Sequence, residues 1–242
     1  MILIKDIYKS FSDSIKPLQG VNLNVNLSET LVLLGKSGSG KSVLLKCIVG
    51  LILPEYGSIL VEDTEVVNAK LNVLNEIRKK VGYVFQSGAL YDSLTVGENL
   101  AFPLEKTKGL NRAEIKDKVG YYLEQVGLPD KINTMPSELS GGQRKRIGVA
   151  RTIITEPAYL LYDEPTTGLD PLTTKEIAEL IIELQNKFNI TSIVVTHDPY
   201  CLDIVADRVA FIDYGKIEFE GTKLEAQKSS IEFLKVFFGL GG

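Results

Sequence analysis

Leu31-Val32-Leu33-Leu34-Gly35-Lys36-Ser37-Gly38-Ser39-Gly40-Lys41-Ser42-Val43-Leu44-Leu45 runs from an unbroken apolar stretch through a glycine-rich segment into a second apolar pattern. Consecutive apolar residues without polar alternation mark a strand covered on both faces, as in a parallel sheet. Gly35, four intervening residues and Gly40-Lys41-Ser42 then let the backbone curl so that several N–H groups face one point, where the positive end of the next helix adds its field. Such a nest takes phosphate. Lys41 is placed to reach the β- and γ-phosphates of a nucleotide, and Ser42 to give an oxygen to Mg²⁺, which prefers oxygen ligands including phosphate oxygens. Gly35, Lys36, Ser37, Gly38, Ser39, Gly40, Lys41 and Ser42 are therefore expected to bind a nucleoside triphosphate. A glycine-rich turn without ligand is the plainer alternative, and the strand before it and helix after it argue against that.

Two further runs, Tyr159-Leu160-Leu161-Tyr162 and Ser192-Ile193-Val194-Val195, also lack alternation and are expected to lie beside the first. In open α/β sheets ligands gather beyond the carboxyl ends of such strands. The first of these ends at Asp163-Glu164-Pro165, and the second is followed by His197, the sole histidine. Asp163 is the expected metal carboxylate and Glu164, projecting differently, the residue that polarises an attacking water; phosphoryl transfer needs positioned charge more than covalent chemistry. An acidic pair at a strand end is common in its own right, and a lone His is more often solvated or core-satisfied, but both fall where the γ-phosphate is expected.

Elsewhere Val21, Leu23, Val25 and Leu27 alternate with asparagines, so residues 1–30 read as antiparallel β. Between the phosphate loop and Asp163 lies a helical lobe. Asn111 with Glu114 reads as a capping box, Ile115, Val119, Leu123 and Val126 form an apolar stripe, and Gly127 with Pro129 end that helix; Thr95 with Glu98 repeats the start signal. Asp170 is expected to cap a helix carrying Ile177, Leu180, Ile181, Leu184 and Phe188, and Arg208 to Glu220 reads as a hairpin turning at Tyr214-Gly215.

The chain has 242 residues, 27 Lys plus Arg against 31 Asp plus Glu, net charge −4 and a pI near 5.3. Proteins that coat duplex nucleic acid are normally basic, so nucleic acid is not an expected partner. Cys47 and Cys201 are far apart in apolar surroundings, which suits buried reduced thiols in the cytosol. The longest apolar stretch, Val43 to Leu53, carries Lys46 and Gly50 and falls short of the about 20 residues of a spanning helix. Met1 to Asp6 does not read as a signal peptide.

Leu139-Ser140-Gly141-Gly142-Gln143 opens another helix, with Ile147, Ala150 and Ile154 on its inward face. A serine and two glycines at a positive helix end make a second phosphate-seeking surface, although the same residues are also an ordinary N-cap and turn. The phosphate loop, Gln86, Leu139–Gln143, Asp163-Glu164, Gly168-Leu169-Asp170 and His197 resemble, in order and spacing across nearly the whole chain, the nucleotide-binding subunits of ABC transporters. The resemblance implies ATP and Mg²⁺ and a homodimer in which two copies face head to tail, so that Ser140, Gly141, Gly142 and Gln143 of one close on ATP held by the other. It also implies that Gln86 links the lobes and senses Mg²⁺ and water, that Asp170 lies in a loop crossing between subunits, and that Phe11, with Tyr8 nearby as the alternative, stacks on adenine. The implied fold is an α/β P-loop NTPase (RecA-like) core with an antiparallel β subdomain and an inserted α-helical subdomain: residues 1–87 and 157–222 as core, 88–156 as helical subdomain and 223–242 as tail.

The resemblance further implies integral-membrane permease partners, docking at a groove near Ala89, Leu90 and Tyr91, and a peripheral location on the cytoplasmic face of the inner membrane. Those apolar residues could equally be core of the lobe. The wording Gly88-Ala89-Leu90-Tyr91-Asp92-Ser93-Leu94-Thr95-Val96, with Ala101-Phe102-Pro103-Leu104 and Lys145-Arg146, is similar to the ATPases of Mla/Mce-type lipid transporters, implying lipid cargo and an MCE-type lipid-binding partner; that branch often carries Met where this chain has Gln143. Importers or exporters of other cargo, or a soluble ABC ATPase, are the alternatives; the Leu139–Gln143 block argues against a small-molecule kinase. The apolar tail Ile231–Phe238 either packs on its own domain or, as expected here, docks on the second protomer or an accessory cytoplasmic subunit.

Overall fold

The computed structural model describes residues 1–105 and 109–239. Antiparallel β1 (Ile2–Lys9) and β2 (Leu18–Val25) are followed by β3 (Thr30–Leu34), the phosphate loop and α1 (Lys41–Ile48). Next come β4 (Tyr56–Val61), a short β5 (Thr64–Glu65), α2 (Leu71–Lys80) and β6 (Val81–Val84). The lobe holds α3 (Val96–Ala101), α4 (Arg112–Gln125) and α5 (Gly141–Ile153). The chain re-enters the sheet as β7 (Tyr159–Asp163), then α6 (Pro171–Phe188), β8 (Thr191–Val195), α7 (Pro199–Val205), β9 (Arg208–Asp213) and β10 (Lys216–Thr222), and ends in α8 (Lys223–Gln227) and α9 (Glu232–Phe237).

Among the described residues ten strands form two sheets: an antiparallel one in the order β2-β1-β4-β5, and a larger one, β10-β9-β3-β8-β7-β6, parallel except for β10. The unbroken apolar runs have a direct cause. Along β3, Val32 and Leu34 enter one hydrophobic cluster while Leu31 and Leu33 enter another, and β7 divides Leu160 and Tyr162 from Tyr159 and Leu161 in the same way. Alternate side chains point to opposite faces, and here both faces are covered. One cluster joins the sheet to α3–α7; the other joins it to the antiparallel sheet, α1 and α2. The helical lobe thus shares a core with the sheet that carries the phosphate loop.

Caps sit where the sequence places them. Thr95 with Glu98 and Asn111 with Glu114 form reciprocal capping boxes, and Asp170 accepts from the backbone of Leu172 and Thr173. Tyr214 and Gly215, at φ 45° and 75°, make the two-residue turn of the final hairpin. β4 and β6, not apparent from local pattern, exist because β1 and β7 supply their ladders.

The tail corrects an expectation. It folds onto its own domain: Leu234 is fully buried, and the Phe233 ring stacks on Phe211 with centroids 4.6 Å apart at 14°. A capping box of Thr222 and Glu225 starts α8 immediately after β10, and the tail that follows packs Phe233 against Phe211 of β9. No helix among the described residues is long and apolar enough to cross a membrane.

Candidate functional site

At the carboxyl ends of β3 and β7 lies a cavity of about 600 Å³, lined by the phosphate loop except Lys36 together with Phe11, Gln86, Glu164 and His197; the Lys36 side chain turns away to Asp213 and Tyr214. The loop's glycines are there for steric reasons. Gly40 sits at φ 105°, and a Cβ on it would lie 2.2 Å from the Pro17 carbonyl oxygen, whereas a Cβ on Gly38, at φ 79°, would meet nothing within 4 Å. One glycine lets the loop close against its neighbour; the other leaves open the space in front of the nest. Ser39 Oγ is buried without a hydrogen-bond partner among the described residues, an unsatisfied hydroxyl of the kind a phosphate oxygen would satisfy. The Lys41 ammonium bonds the carbonyls of Gly35 and Lys36 at 2.7 and 2.9 Å. Desolvation lowers its pKa, opposed by the charges of Glu164 and Asp163.

Ser42 Oγ donates to Asp163 Oδ1 at 2.7 Å, and the Tyr83 hydroxyl donates to Asp163 Oδ2 at 2.8 Å. Burial first, and then this carboxylate, push the Tyr83 phenol far above its ordinary pKa, so it remains a donor. A hydroxyl and a carboxylate oxygen held together beside the phosphate nest suit Mg²⁺, which keeps water and phosphate oxygens as its other ligands and needs no all-protein cage. Ser42 and Asp163 would hold the ion. Gln86 is exposed on the cavity wall, and its backbone carbonyl accepts from Lys145 at 2.5 Å.

Glu164 follows β7 in the left-handed region, φ 54°, which costs a non-glycine residue on the order of 1 kcal/mol. Its N–H bonds Val195 O at 2.9 Å, and its own carbonyl accepts from Lys145 at 3.3 Å. Its carboxylate Oε2 receives the Thr167 hydroxyl at 3.0 Å and lies 2.6 Å from His197 Nδ1. Because a carboxylate accepts, Nδ1 carries the proton in that contact. Oε1, with no partner among the described residues, is the oxygen left to orient water.

Phe11 lines the cavity with Lys9 5.5 Å from its ring centroid, while Tyr8 lies in a different groove beside Gln19 and Gly20. Ile15, Pro17 and Thr167 also line the cavity and were not expected: Pro17 stands against Gly40, and Thr167 bonds the Glu164 carboxylate. Ser140, Gly141, Gly142, Gln143 and Asp170 do not line it. Ser140 caps α5, accepting from Gln143 N at 3.2 Å, while Gln143 Oε1 accepts from Ser140 N at 3.0 Å. Of the groove residues, Leu90 packs on the core and Tyr91 is exposed, held through its backbone by buried Asn99 at 2.8 and 3.0 Å. The segment is thus partly core and partly surface.

A phosphate nest between a buried parallel strand and a helix, with an acid pair at the end of the next strand but one, defines a P-loop nucleoside triphosphatase fold. The model of a family described as ABC transporter matches residues 18–167. The methionine import ATP-binding protein MetN of Carboxydothermus hydrogenoformans is 41% identical over 223 residues, covering 91% of this chain and 66% of that protein. MetN of Brucella abortus is 39% identical over 221 residues, covering 91% and 59%. A bacterial ABC transporter cassette solved as a dimer superposes with TM-score 0.84 at 32% identity, covering 92% of this chain and 98% of that one. The same cassette solved in a post-hydrolysis state with ADP and Pi gives 0.83 at 31%, again covering 92% and 98%. The chain belongs to the ABC transporter family, and residues 18–167 are matched to its ATP-binding domain. It spans about three fifths to two thirds of the length of these curated relatives. They are importers by name, which does not support the lipid branch expected from the wording around Ala89.

Proposed function

We propose that the chain is the ATP-hydrolysing subunit of an ABC importer and works as a homodimer. The observation that carries this is the division of the site: phosphate loop, Glu164 and His197 share one cavity, while Ser140–Gln143 and Asp170 lie outside it. A second copy placed head to tail would bring the positive N-terminus of α5 to the open side of the nest. That a cassette with which the chain superposes was solved as a dimer supports a dimer here. Phe11 stacks on adenine, Lys41 swings from the Gly35 and Lys36 carbonyls to the β- and γ-phosphates, and Ser39 and the loop N–H groups hold their oxygens. Ser42 and Asp163, with Gln86 beside them, would hold Mg²⁺, which would supply charge neutralisation at those phosphates. Glu164 Oε1 accepts a proton from the attacking water, and His197 and Thr167 keep that carboxylate in place.

Glu164→Gln should keep nucleotide affinity while lowering turnover about 100-fold or more, with ATP-dependent dimers accumulating on a sizing column. Near-normal turnover would remove the water-activating role.

For cargo, the MetN relatives favour import of a small polar solute such as methionine through a permease seated near Ala89, Leu90 and Tyr91 on the cytoplasmic side. Lipid transport, with an MCE-type subunit, is the second reading, favoured by the Gly88–Val96 wording. Purifying the tagged protein from membranes separates the two. A co-purified permease complex whose ATPase activity rises with a solute-loaded binding protein supports import, and co-purified phospholipid with a lipid-binding subunit supports the other.

A further inference from the structure

Along one side, α5 is fastened to the segment that follows Gln86. A Cβ on Gly148 would lie 2.8 Å from Gly88 Cα, so the two backbones touch. Arg151 donates to Ala89 O at 2.5 Å and lies 4.8 Å from the Tyr91 ring centroid, and Arg144 reaches Asp92 at 3.8 Å. The member of this row nearest the nucleotide cavity is Lys145. It is 9% exposed, and its ammonium bonds Gln86 O at 2.5 Å and Glu164 O at 3.3 Å, with no ion pair among the described residues. Burying an ammonium is unfavourable unless hydrogen bonds compensate, so a residue that only filled space here would be apolar. Desolvation lowers its pKa, and the charge of Glu164 opposes that.

The two bonds cross between lobes: Lys145 belongs to the helical lobe, Glu164 to the sheet. Five residues separate Lys145 from the Ser140 cap, about 7.5 Å along a rigid helix. The end of α5 expected to meet nucleotide on a second copy and the ammonium that holds the Glu164 backbone therefore move together. Glu164 is the residue most sensitive to such a hold, because its left-handed backbone persists only while its surroundings enforce it.

We propose that Lys145 is a positioning residue that ties the Glu164 backbone to α5, making the pose of the water-activating carboxylate in one protomer depend on how that protomer's α5 seats against nucleotide on the other. It acts through Glu164 and Gln86 and touches no substrate. The inference deepens the proposed function and rests on its dimer.

The test uses the full chain. Lys145→Met should lower kcat roughly 10- to 100-fold, the range a small misplacement of a catalytic group produces, with affinity for a fluorescent ATP analogue within about twofold and a Hill coefficient for ATP approaching one. Lys145→Arg, able to span the same carbonyls, should restore at least half of kcat. In the Glu164→Gln background, Lys145→Met should still give ATP-dependent dimers. If Met yields no folded protein, Lys145→Leu, which also has no donor, replaces it with the same expectations. Turnover and Hill coefficient within twofold of wild type, or a loss of kcat that only follows a lowered Tm and that Arg does not rescue, would overturn the proposal. Absence of dimers in Glu164→Gln alone would instead bring down the dimer on which it rests.

Discussion

Three groups converge on Glu164: Lys145 on its carbonyl, Thr167 on its carboxylate and His197 on the same oxygen. The His197 contact is the shortest of these and comes from a side chain that is 64% exposed, so the ring is ordered by its partner and not by packing. His197→Ala should leave folding intact and cut kcat roughly 10- to 100-fold with little change in ATP affinity, measured by steady-state turnover beside nucleotide binding. Gly40→Ala should act differently. The new methyl faces the Pro17 carbonyl in a backbone conformation alanine disfavours, so both stability and nucleotide binding should fall, by upwards of about 1 kcal/mol in urea unfolding. The donor set on Asp163 belongs to this scale too, since Ser42 and Tyr83 each occupy one oxygen and leave the carboxylate no free rotation.

Many of the described helices are begun by side chains that return to the backbone, and three of the capping carboxylates have a lowered pKa. Glu98 and Glu225 are held below their ordinary pKa by the backbone N–H groups of Thr95 and Thr222, and Asp170 chiefly by the Thr173 hydroxyl. A folded pKa below the unfolded one stabilises the protein above the unfolded value, about 4.3 for Glu, and that stability is lost as pH falls through the folded value. Urea midpoints should therefore drop as pH falls from about 5 to 3. A Glu98→Gln, Glu225→Gln double variant keeps an acceptor that does not titrate, so its midpoint should fall less steeply. Caps were legible from sequence because Thr95 with Glu98 and Asn111 with Glu114 act within one turn. β4 and β6 were not, because Tyr56–Val61 and Val81–Val84 owe their extension to β1 and β7, distant in sequence.

At the scale of the whole molecule, the tail closes the hydrophobic cluster shared by sheet and lobe. Truncation after residue 228 removes the buried Leu234 and the ring stacked on Phe211, and should lower stability by about 2–5 kcal/mol, read as a lower Tm, without a change in oligomeric state. The amino-acid sequence alone determined the nucleotide chemistry, because the phosphate nest, Asp163-Glu164 and the alternation-free strands are local patterns whose geometry follows from backbone sterics and the covering of both sheet faces. It also pointed to the Ser140–Gln143 end as a second anion-seeking surface, on which the proposed dimer rests. Only the tertiary structure decided that Phe11 and not Tyr8 faces the cavity, that Pro17 and Thr167 join it, that Lys145 reaches Gln86 and Glu164, and that the tail folds inward. Each of those depends on contacts between residues far apart in the chain, and nothing in a residue's neighbours along the sequence records which distant carbonyl or ring will stand beside it once the layers pack.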